Sequence, residues 1–472
     1  MIDAASPDFA TRANHALADA RLRAALDRVT GTLGARRESA FASLESADLV
    51  RDAARAARMR ALTDLAGHLE QFEAKLTANR VHVHWAETPA DANRFIADIA
   101  ERTGSRRVVK SKSMVSEEIH LNSALERAGV TVVETDLGEY IVQLANDRPS
   151  HIIAPIIHLT RQDVGRVMEG RLNVPYTDDT RALAATARER LRDEFLRADM
   201  GISGANFGVV ETGTICLVTN EGNGRMVTTL PRVHVVLMGI EKLIPTLQDL
   251  DRCLKVLARS ATGQKLTVYT TFVHGPRKRG EVDGPDEVHV VLLDNGRSRI
   301  RAGDTAEILG CIRCGACLNA CPVYRTIGGH AYGDIYPGPV GAVVTPGLRG
   351  LEPWRELPGA SSLCGACRDV CPVRLDIPRM LLTLRDRVER EAPTVPALAR
   401  GIKVFARVAS RPALYRRGAS VVRWWLRRLA TDGWVRRAPG PARAWTDFRD
   451  LKAPARATFQ AQWRARTPRD RT

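Results

Sequence analysis

No stretch of this 472-residue chain approaches the ~18 consecutive apolar residues that a membrane span requires. The longest apolar runs, 152–157 and 233–240, are of strand length. The N-terminus lacks a basic segment followed by an apolar one, so no secretory signal is legible and a cytoplasmic protein is expected. A G-x-G-x-x-G dinucleotide fingerprint is missing too, because Gly201, Gly204 and Gly208 have the wrong spacing and precede a strand. There is no solenoid-type repeat. With 44% apolar and 26% charged residues, a disordered or fibrous chain is excluded, and the length predicts about two to four domains.

Excess charge is scarce over most of the chain. The total is +16, but residues 396–472 hold 19 Lys+Arg against 4 Asp+Glu, a net of +15. The body is therefore nearly neutral, and the basic balance belongs to an appendage. Trp424, Trp425, Trp434, Trp445 and Trp463 lie in that tail, among the pairs Arg416-Arg417, Arg427-Arg428 and Arg436-Arg437. Such a segment suits an acidic partner subunit, an anionic membrane surface or single-stranded nucleic acid. Partner docking is favoured, and no recognised motif supports nucleic acid. A solvated helical extension with its tryptophans buried against the body is the plain alternative.

Residues 1–75 read as a helical region, with Leu44, Leu49, Val50, Met59, Leu62, Leu65 and Leu69 near helical spacing over two or three amphipathic helices. Over 76–298, strand-like runs at 79–85, 107–110, 131–134, 151–154, 231–238, 266–271 and 287–293 alternate with helical ones at 90–102, 117–128 and 137–143. That alternation predicts an α/β domain with a mostly parallel sheet covered on both faces. Asn223-Gly224 predicts a hairpin between 208–219 and 225–229. Residues 299–391 form a cysteine-bearing helical domain. There Asp304 or Thr305 caps a helix entering the first cysteines, 336–354 reads as a Pro/Gly loop, and Asp376-Ile377-Pro378 opens a helix through Glu391. Residues 392–472 are the basic, Trp- and Arg-rich C-terminal region.

Only Cys216 and Cys253 of the nine cysteines lie outside 311–371, and both read as buried small hydrophobes. Clustered cysteines under reducing conditions point to metal. The first group is Cys311-x2-Cys314-x2-Cys317-x3-Cys321-Pro322. The second, Cys364-x2-Cys367-x3-Cys371-Pro372, matches its last three positions, with Ser361 in the first. In this motif three thiolates wrap one cubane, and the one before proline commonly serves the other cluster. Crossed ligation then puts Cys311, Cys314, Cys317 and Cys371 on one [4Fe–4S] cluster. Cys321, Cys364 and Cys367 hold a second whose remaining corner lacks a thiolate. Ser361, a water, a neighbouring subunit or a substrate are open to fill that corner, or it stays empty as [3Fe–4S]. Zinc needs neither a third cysteine at the same interval nor the prolines. Two one-electron carriers suit a relay. No organic acceptor site and no complete catalytic site are legible, so the first oxidation is not expected of this chain alone.

These motifs stand among longer family-like stretches: VVKSKSMVSEEIHLNSALERAGVTVVETDLGEYIVQL, GVVETGTICLVTNEGNGR, LPRVHVVLMGIEKLIP, CIRCGACLNACPVYRTIGGHAYG and SSLCGACRDVCPV. Together they resemble the lactate-utilisation iron–sulfur protein family, the B component of the bacterial three-protein L-lactate oxidation complex. The resemblance implies a lactate-utilisation α/β domain of the isomerase and CoA-transferase kind, and a ferredoxin-like domain with two [4Fe–4S] clusters. It implies an electron-transfer role in oxidising L-lactate to pyruvate for growth on lactate. Two partners follow from it, a cysteine-rich heterodisulfide-reductase-like subunit and a short lactate-utilisation-domain subunit. A transferase or isomerase with redox-sensing clusters is the alternative from another class, and a nucleic-acid-binding iron–sulfur protein a third.

Outside the cysteines, Glu211-Thr212-Gly213-Thr214 with Arg232 is a weak candidate for a small carboxylate, against the plainer expectation that Arg232 pairs with Glu211. Lys110 and Lys112, with Ser111 and Ser113, follow a strand and suit an anion, although a solvated charge run is the commoner reading. His82, His84, His151 and His158 read as core or edge histidines.

Overall fold

The computed structural model describes residues 8–393 and 396–465, and the chain divides into two compact units, 1–392 and 393–472. The expectations at 1–7 and 466–472 lie outside the described residues. The first unit opens with helices Phe9–Ala18, Ala20–Ala42, Ala47–Thr63 and Leu65–Ala78, four where two or three were expected. Each begins on an aspartate or serine whose side chain accepts from a first-turn N–H.

Ten strands follow: β1 (His82–Ala86), β2 (Arg107–Lys110), β3 (Thr131–Glu134), β4 (Met200–Ser203), β5 (Phe207–Val209), β6 (Thr214–Thr219), β7 (Val233–Gly239), β8 (Leu243–Ile244), β9 (Tyr269–Val273) and β10 (Glu287–Leu293). Six make an all-parallel sheet in the order β1-β10-β7-β4-β2-β3. Its central strand β7 is buried along its whole length, as a parallel strand covered on both faces must be. The order reverses between β2 and β4, because β2 leads outward to β3 whereas β4 leads the other way to β7 and β10. A smaller mixed sheet, β8-β5-β6-β9, packs beside it. No described helix is long and apolar enough to cross a membrane.

Several local expectations change. Asn223-Gly224 makes no hairpin but opens the helix Asn223–Thr229. Gly224 has no positive φ, and a Cβ there would lie 2.8 Å from the Thr219 methyl, so this glycine serves a close approach rather than a turn. Residues 151–154 are an irregular bend leading into a turn at 155–158, not a strand. The stretch 117–128 is two helices, Met114–Glu118 and Leu121–Arg127, parted at His120 (φ 53°). The Pro/Gly stretch after Tyr336 is a helix, Gly338–Arg349, with Pro339 in its first turn and Pro346 inside. Residues 338–346 of it are buried, so tertiary packing overrides the low propensity. Before the first cysteine lies a 3₁₀ turn, Ala306–Gly310, with no side-chain cap. The helix Ile377–Glu391 starts on Asp376, as expected.

The cysteine-bearing segment docks onto the carboxyl edge of the parallel sheet through buried charge. Arg297, after β10, forks onto Glu118 at 2.8 and 2.9 Å and reaches Glu241 at 2.6 Å. Tyr336 donates its hydroxyl to the same Glu118 at 2.8 Å. Arg58, fully buried, donates to the carbonyls of Leu309 and Gly310 before the first cysteine and of Glu241 and Leu243 after β7. Burial alone would raise the Glu241 carboxyl, but Arg297, Lys242 and Arg313 outweigh it and hold it at about 2.

The second unit has helices Pro396–Ala409 and Pro412–Leu429, a short antiparallel pair (Trp434–Val435 with Leu451–Lys452) and a last helix, Phe459–Ala465. All five tail tryptophans are exposed, the least at 37%. Arg428 lies over the Trp424 ring and Arg449 over Trp445.

Arg297→Met leaves Glu118 and Glu241 buried without their main partner, and should cost about 3–5 kcal/mol in urea unfolding. Because the folded Glu241 pKa lies below its ordinary 4.5, its contribution is complete above that value and is lost only as pH falls toward 2. In the variant burial raises the orphaned carboxyls, which take up protons in the folded state, so the deficit should be largest near pH 8 and shrink as the pH falls; an unchanged urea midpoint would show the network to be energetically neutral.

Candidate functional site

The two cysteine motifs fold alike. Arg313 and Leu363, each just before a cysteine, have φ of 59° and 55°; Gly315 and Gly365, each just after it, have φ of 74° and 88°. Each glycine then caps a short helix, Ala316–Ala320 or Ala366–Asp369. This left-handed pair folds the loop back so that successive N–H groups face the preceding side chain. The Arg313 N–H donates to Cys311 Sγ at 3.4 Å, and at the matching place the Leu363 N–H donates to Ser361 Oγ at 3.2 Å. Serine thus stands in the second motif where cysteine stands in the first.

Cys311, Cys314, Cys317 and Cys371, from both motifs, line one small void, closed by Ile152, Val340 and Ile377 among others. Cys321, Cys364 and Cys367 lie within electrostatic reach of one another, and Cys317 senses Cys367 as well, so the two groups adjoin. Backbone N–H groups point at the sulfurs: Leu375 at Cys371 (3.3 Å) and Tyr324 at Cys321 (3.5 Å). Arg37 and Arg51 flank Cys371, with Arg51 held by its carbonyl and Arg37 by that of Val370. Burial pushes the Cys367 thiol up to about 12 and that of Cys371 to about 11, so without a bound cation both stay protonated. Thiolates in two adjoining sets, N–H donors on sulfur and an apolar enclosure suit iron–sulfur clusters. Cys216 and Cys253 are fully buried elsewhere, and burial raises both thiols to about 12.

A second, larger cavity of about 330 Å³ lies where the sheet order reverses. Its polar lining comes from carboxyl ends: Lys112 after β2, Asp136 after β3, Asn206 after β4 and Lys242 after β7. Crevices outside the carboxyl ends at such a switch point are where open α/β sheets take ligands. β6 and the helix Leu247–Ala261 form an apolar wall, and Arg313 and Tyr336 belong to the cysteine-bearing segment. Ile152 and Arg313 line this cavity and the cysteine-lined void alike.

The other expected residues separate. Lys110 is not part of a solvated run: it is fully buried, its ammonium on Glu134 (2.7 Å), Glu117 (2.9 Å) and the Ser116 hydroxyl. Burial disfavours its charge, but Glu134 and Glu117 outweigh that and raise its pKa. Lys112, Ser111 and Ser113 do line the cavity. Glu211 accepts from the Leu247 N–H, while Arg232 donates to the Thr103 carbonyl, so they neither pair nor converge on a ligand. His151 is a buried core histidine: Nδ1 accepts from the Ile153 and Ala154 N–H groups, which leaves the proton on Nε2 facing Asn319. Burial pushes it down to about 3, so it is neutral. His158 pairs with Asp147, and His82 and His84 group with His289 at the sheet edge. Sequence reasoning missed Lys242, Arg313 and Tyr336. Arg313 sits inside the cysteine motif and Lys242 just past the apolar run of β7, but nothing in their spacing reveals a shared cavity.

A parallel α/β domain carrying two cysteine motifs of this geometry defines an iron–sulfur protein. Residues 69–293 match the LUD domain family and residues 307–375 the 4Fe-4S dicluster domain family. The chain is 44% identical over 459 residues to Lactate utilization protein B of Shouchella clausii, covering 97% of each chain. It is 45% identical over 412 residues to the protein of that name from Oceanobacillus iheyensis, covering 87% of this chain and 86% of the other. It is also 44% identical over 454 residues to an uncharacterized electron transport protein, YkgF, of Escherichia coli, with 95% of each covered. The chain belongs to the lactate utilization protein B family.

Proposed function

We propose that this lactate-utilisation iron–sulfur protein is the electron-transfer subunit of a complex oxidising L-lactate to pyruvate. The observation that carries the reading is the meeting of Cys311, Cys314, Cys317 and Cys371 around one void that shares Ile152 and Arg313 with the switch-point cavity. These four cysteines hold one [4Fe–4S] cluster, and Cys321, Cys364 and Cys367 hold a second. Each cluster when bound supplies a one-electron carrier, so a pair matches the two electrons released as a 2-hydroxy acid becomes a 2-oxo acid. The chain's own residues bury Cys314, Cys317, Cys321, Cys367 and Cys371 while Cys364 stays exposed, and the Arg313, Tyr324 and Leu375 N–H groups offset thiolate charge.

The fourth position of the second set falls to Ser361. The Leu363 N–H meets its oxygen as the Arg313 N–H meets the Cys311 sulfur, and the flanking left-handed residues coincide. The basic tail docks on an acidic surface of a partner subunit. Its +15 charge and exposed tryptophans support an interface, and a relay needs fixed partners.

L-lactate with the two partner proteins should reduce the iron of this chain, whereas lactate with this chain alone should not. Cys314→Ala should abolish lactate-dependent dye reduction while the α/β domain stays folded by circular dichroism, and full activity in that variant would refute the relay. Ser361→Cys should make the second cluster resist air, and Ser361→Ala should bring a [3Fe–4S] EPR signal sooner than in the wild type. Identical decay in all three would remove serine from the ligand set. Deleting residues 396–472 should weaken co-purification with the partners, and moderate salt should reproduce that loss in the full chain. Salt-insensitive retention of partners would exclude the docking role.

A further inference from the structure

The switch-point cavity contains a buried ammonium that no side chain contacts directly, although Glu241 acts on it from beyond ion-pair distance. Lys242, at the carboxyl end of β7, is 7% exposed and lines the cavity. Among the described residues its ammonium donates to no acceptor and makes no ion pair within 4 Å. Three buried cations close by are occupied: Lys110 by two glutamates and a hydroxyl, Arg297 by Glu118 and Glu241, Arg58 by four carbonyls. Arg313 is 9% exposed and turns one side toward Glu241 at 3.7 Å, while its Nη1 has no hydrogen-bond partner. Burying an ammonium without a partner costs several kcal/mol, so such a group in a cavity wall signals a ligand of opposite charge.

The remaining polar groups define the shape of that ligand. Asp136 and Glu221 also line the cavity, but Asp136 caps the following helix through the Gly138 and Glu139 N–H groups, and Glu221 accepts from the Leu137 N–H. Lys112 donates to the Ile153 carbonyl at 3.0 Å. Donor capacity without a hydrogen-bond partner therefore lies with the Lys242 ammonium and with Nη1 of Arg313, whose guanidinium otherwise faces Glu241 and the Tyr336 ring. The opposite wall is apolar, with Leu217, Leu257 and Ala258. At about 330 Å³ the cavity is at the small end of ordinary ligand sites.

We infer that this cavity binds a short 2-hydroxy or 2-oxo carboxylate, its carboxylate on Lys242 and Arg313 and its carbon end against the apolar wall. The inference rests on the lactate-oxidation reading for the choice of acid, but not for the existence of an anion site. It places the organic acid across Ile152 and Arg313 from Cys311, Cys314, Cys317 and Cys371. Arg313 then joins the two sites, with its backbone N–H on the Cys311 sulfur and its guanidinium facing the carboxylate.

The test is calorimetric titration of the full chain, purified anaerobically with its iron counted, using L-lactate, pyruvate and neutral L-lactamide as probes. Both carboxylates should bind one per chain and lactamide should not. Lys242→Met keeps the stem and removes the charge, and should weaken carboxylate binding about tenfold or more. Ala258→Met, which narrows the cavity and leaves every charge in place, should weaken it too and covers the case in which the lysine variant misfolds. Absence of carboxylate binding, equal binding of lactamide, or affinities unchanged in both variants would overturn the site. If carboxylates bind through Lys242 while lactate and the partner proteins fail to reduce the iron, the electron-transfer reading falls and the anion site stands. If reduction proceeds and neither variant alters binding, the site falls and that reading stands.

Discussion

Two buried guanidinium groups, Arg58 and Arg297, hold the α/β sheet and the cysteine loops in one arrangement. Neither is tolerable in an apolar interior unless all its N–H groups find acceptors. Arg58 finds them on both sides of the junction: carbonyls just before the first cysteine and carbonyls just after β7. Arg297 works through carboxylates, and Glu118 in turn accepts from Tyr336 of the cysteine-bearing segment. A shift of either part strands several buried charges at once, a far steeper penalty than the loss of a few apolar contacts. Apolar packing brings the parts together, and the charge network selects a single docking.

That single docking produces the relation between the two cavities. The thiolate-lined void and the switch-point cavity have Ile152 and Arg313 in common because the first cysteine loop lies against the carboxyl edge of the sheet. Glu241 and Lys242 are neighbours in the chain with different contacts: the glutamate holds Arg297 and faces Arg313, while the lysine lines the cavity with no ion pair. Burial lowers the Lys242 ammonium to about 8, with Arg313 adding to the effect and Glu241 opposing it. The network that fixes the domains thus also leaves one cation exposed only to the cavity.

Much of the fold was legible. The strands β2, β3 and β10 were anticipated to the residue, because short valine-rich runs bounded by polar residues have no competing period. The helix from Ile377 was marked by its aspartate cap and proline. Misreadings fell where local chemistry and tertiary packing disagree. Asn-Gly is a turn signal only if its backbone is free to take positive φ, and here Gly224 is pressed on Thr219 at a helix start. Proline and glycine after Tyr336 disfavour a helix in isolation, yet burial of residues 338–346 outweighs them. Lys110 and Lys112 looked like one solvated run, but one closes a buried salt bridge and the other borders a cavity.

Covalent order by itself marked out the two cysteine motifs of the 4Fe-4S dicluster domain, because cluster ligation depends on thiolates at short fixed intervals along one loop. It equally determined the parallel α/β class, through alternating buried strands and capped helices, and the confinement of positive charge to the tail. Spacing put Ser361 in the place of Cys311, and tertiary structure added that its Oγ meets an N–H as the Cys311 Sγ does, through matching left-handed backbone. Tertiary structure alone brought Lys242 and Arg313, 71 positions apart, to one cavity beside the cysteines. The reason is physical: ligand spacing is a property of one loop, whereas a buried charge without an ion pair is a property of everything packed around it.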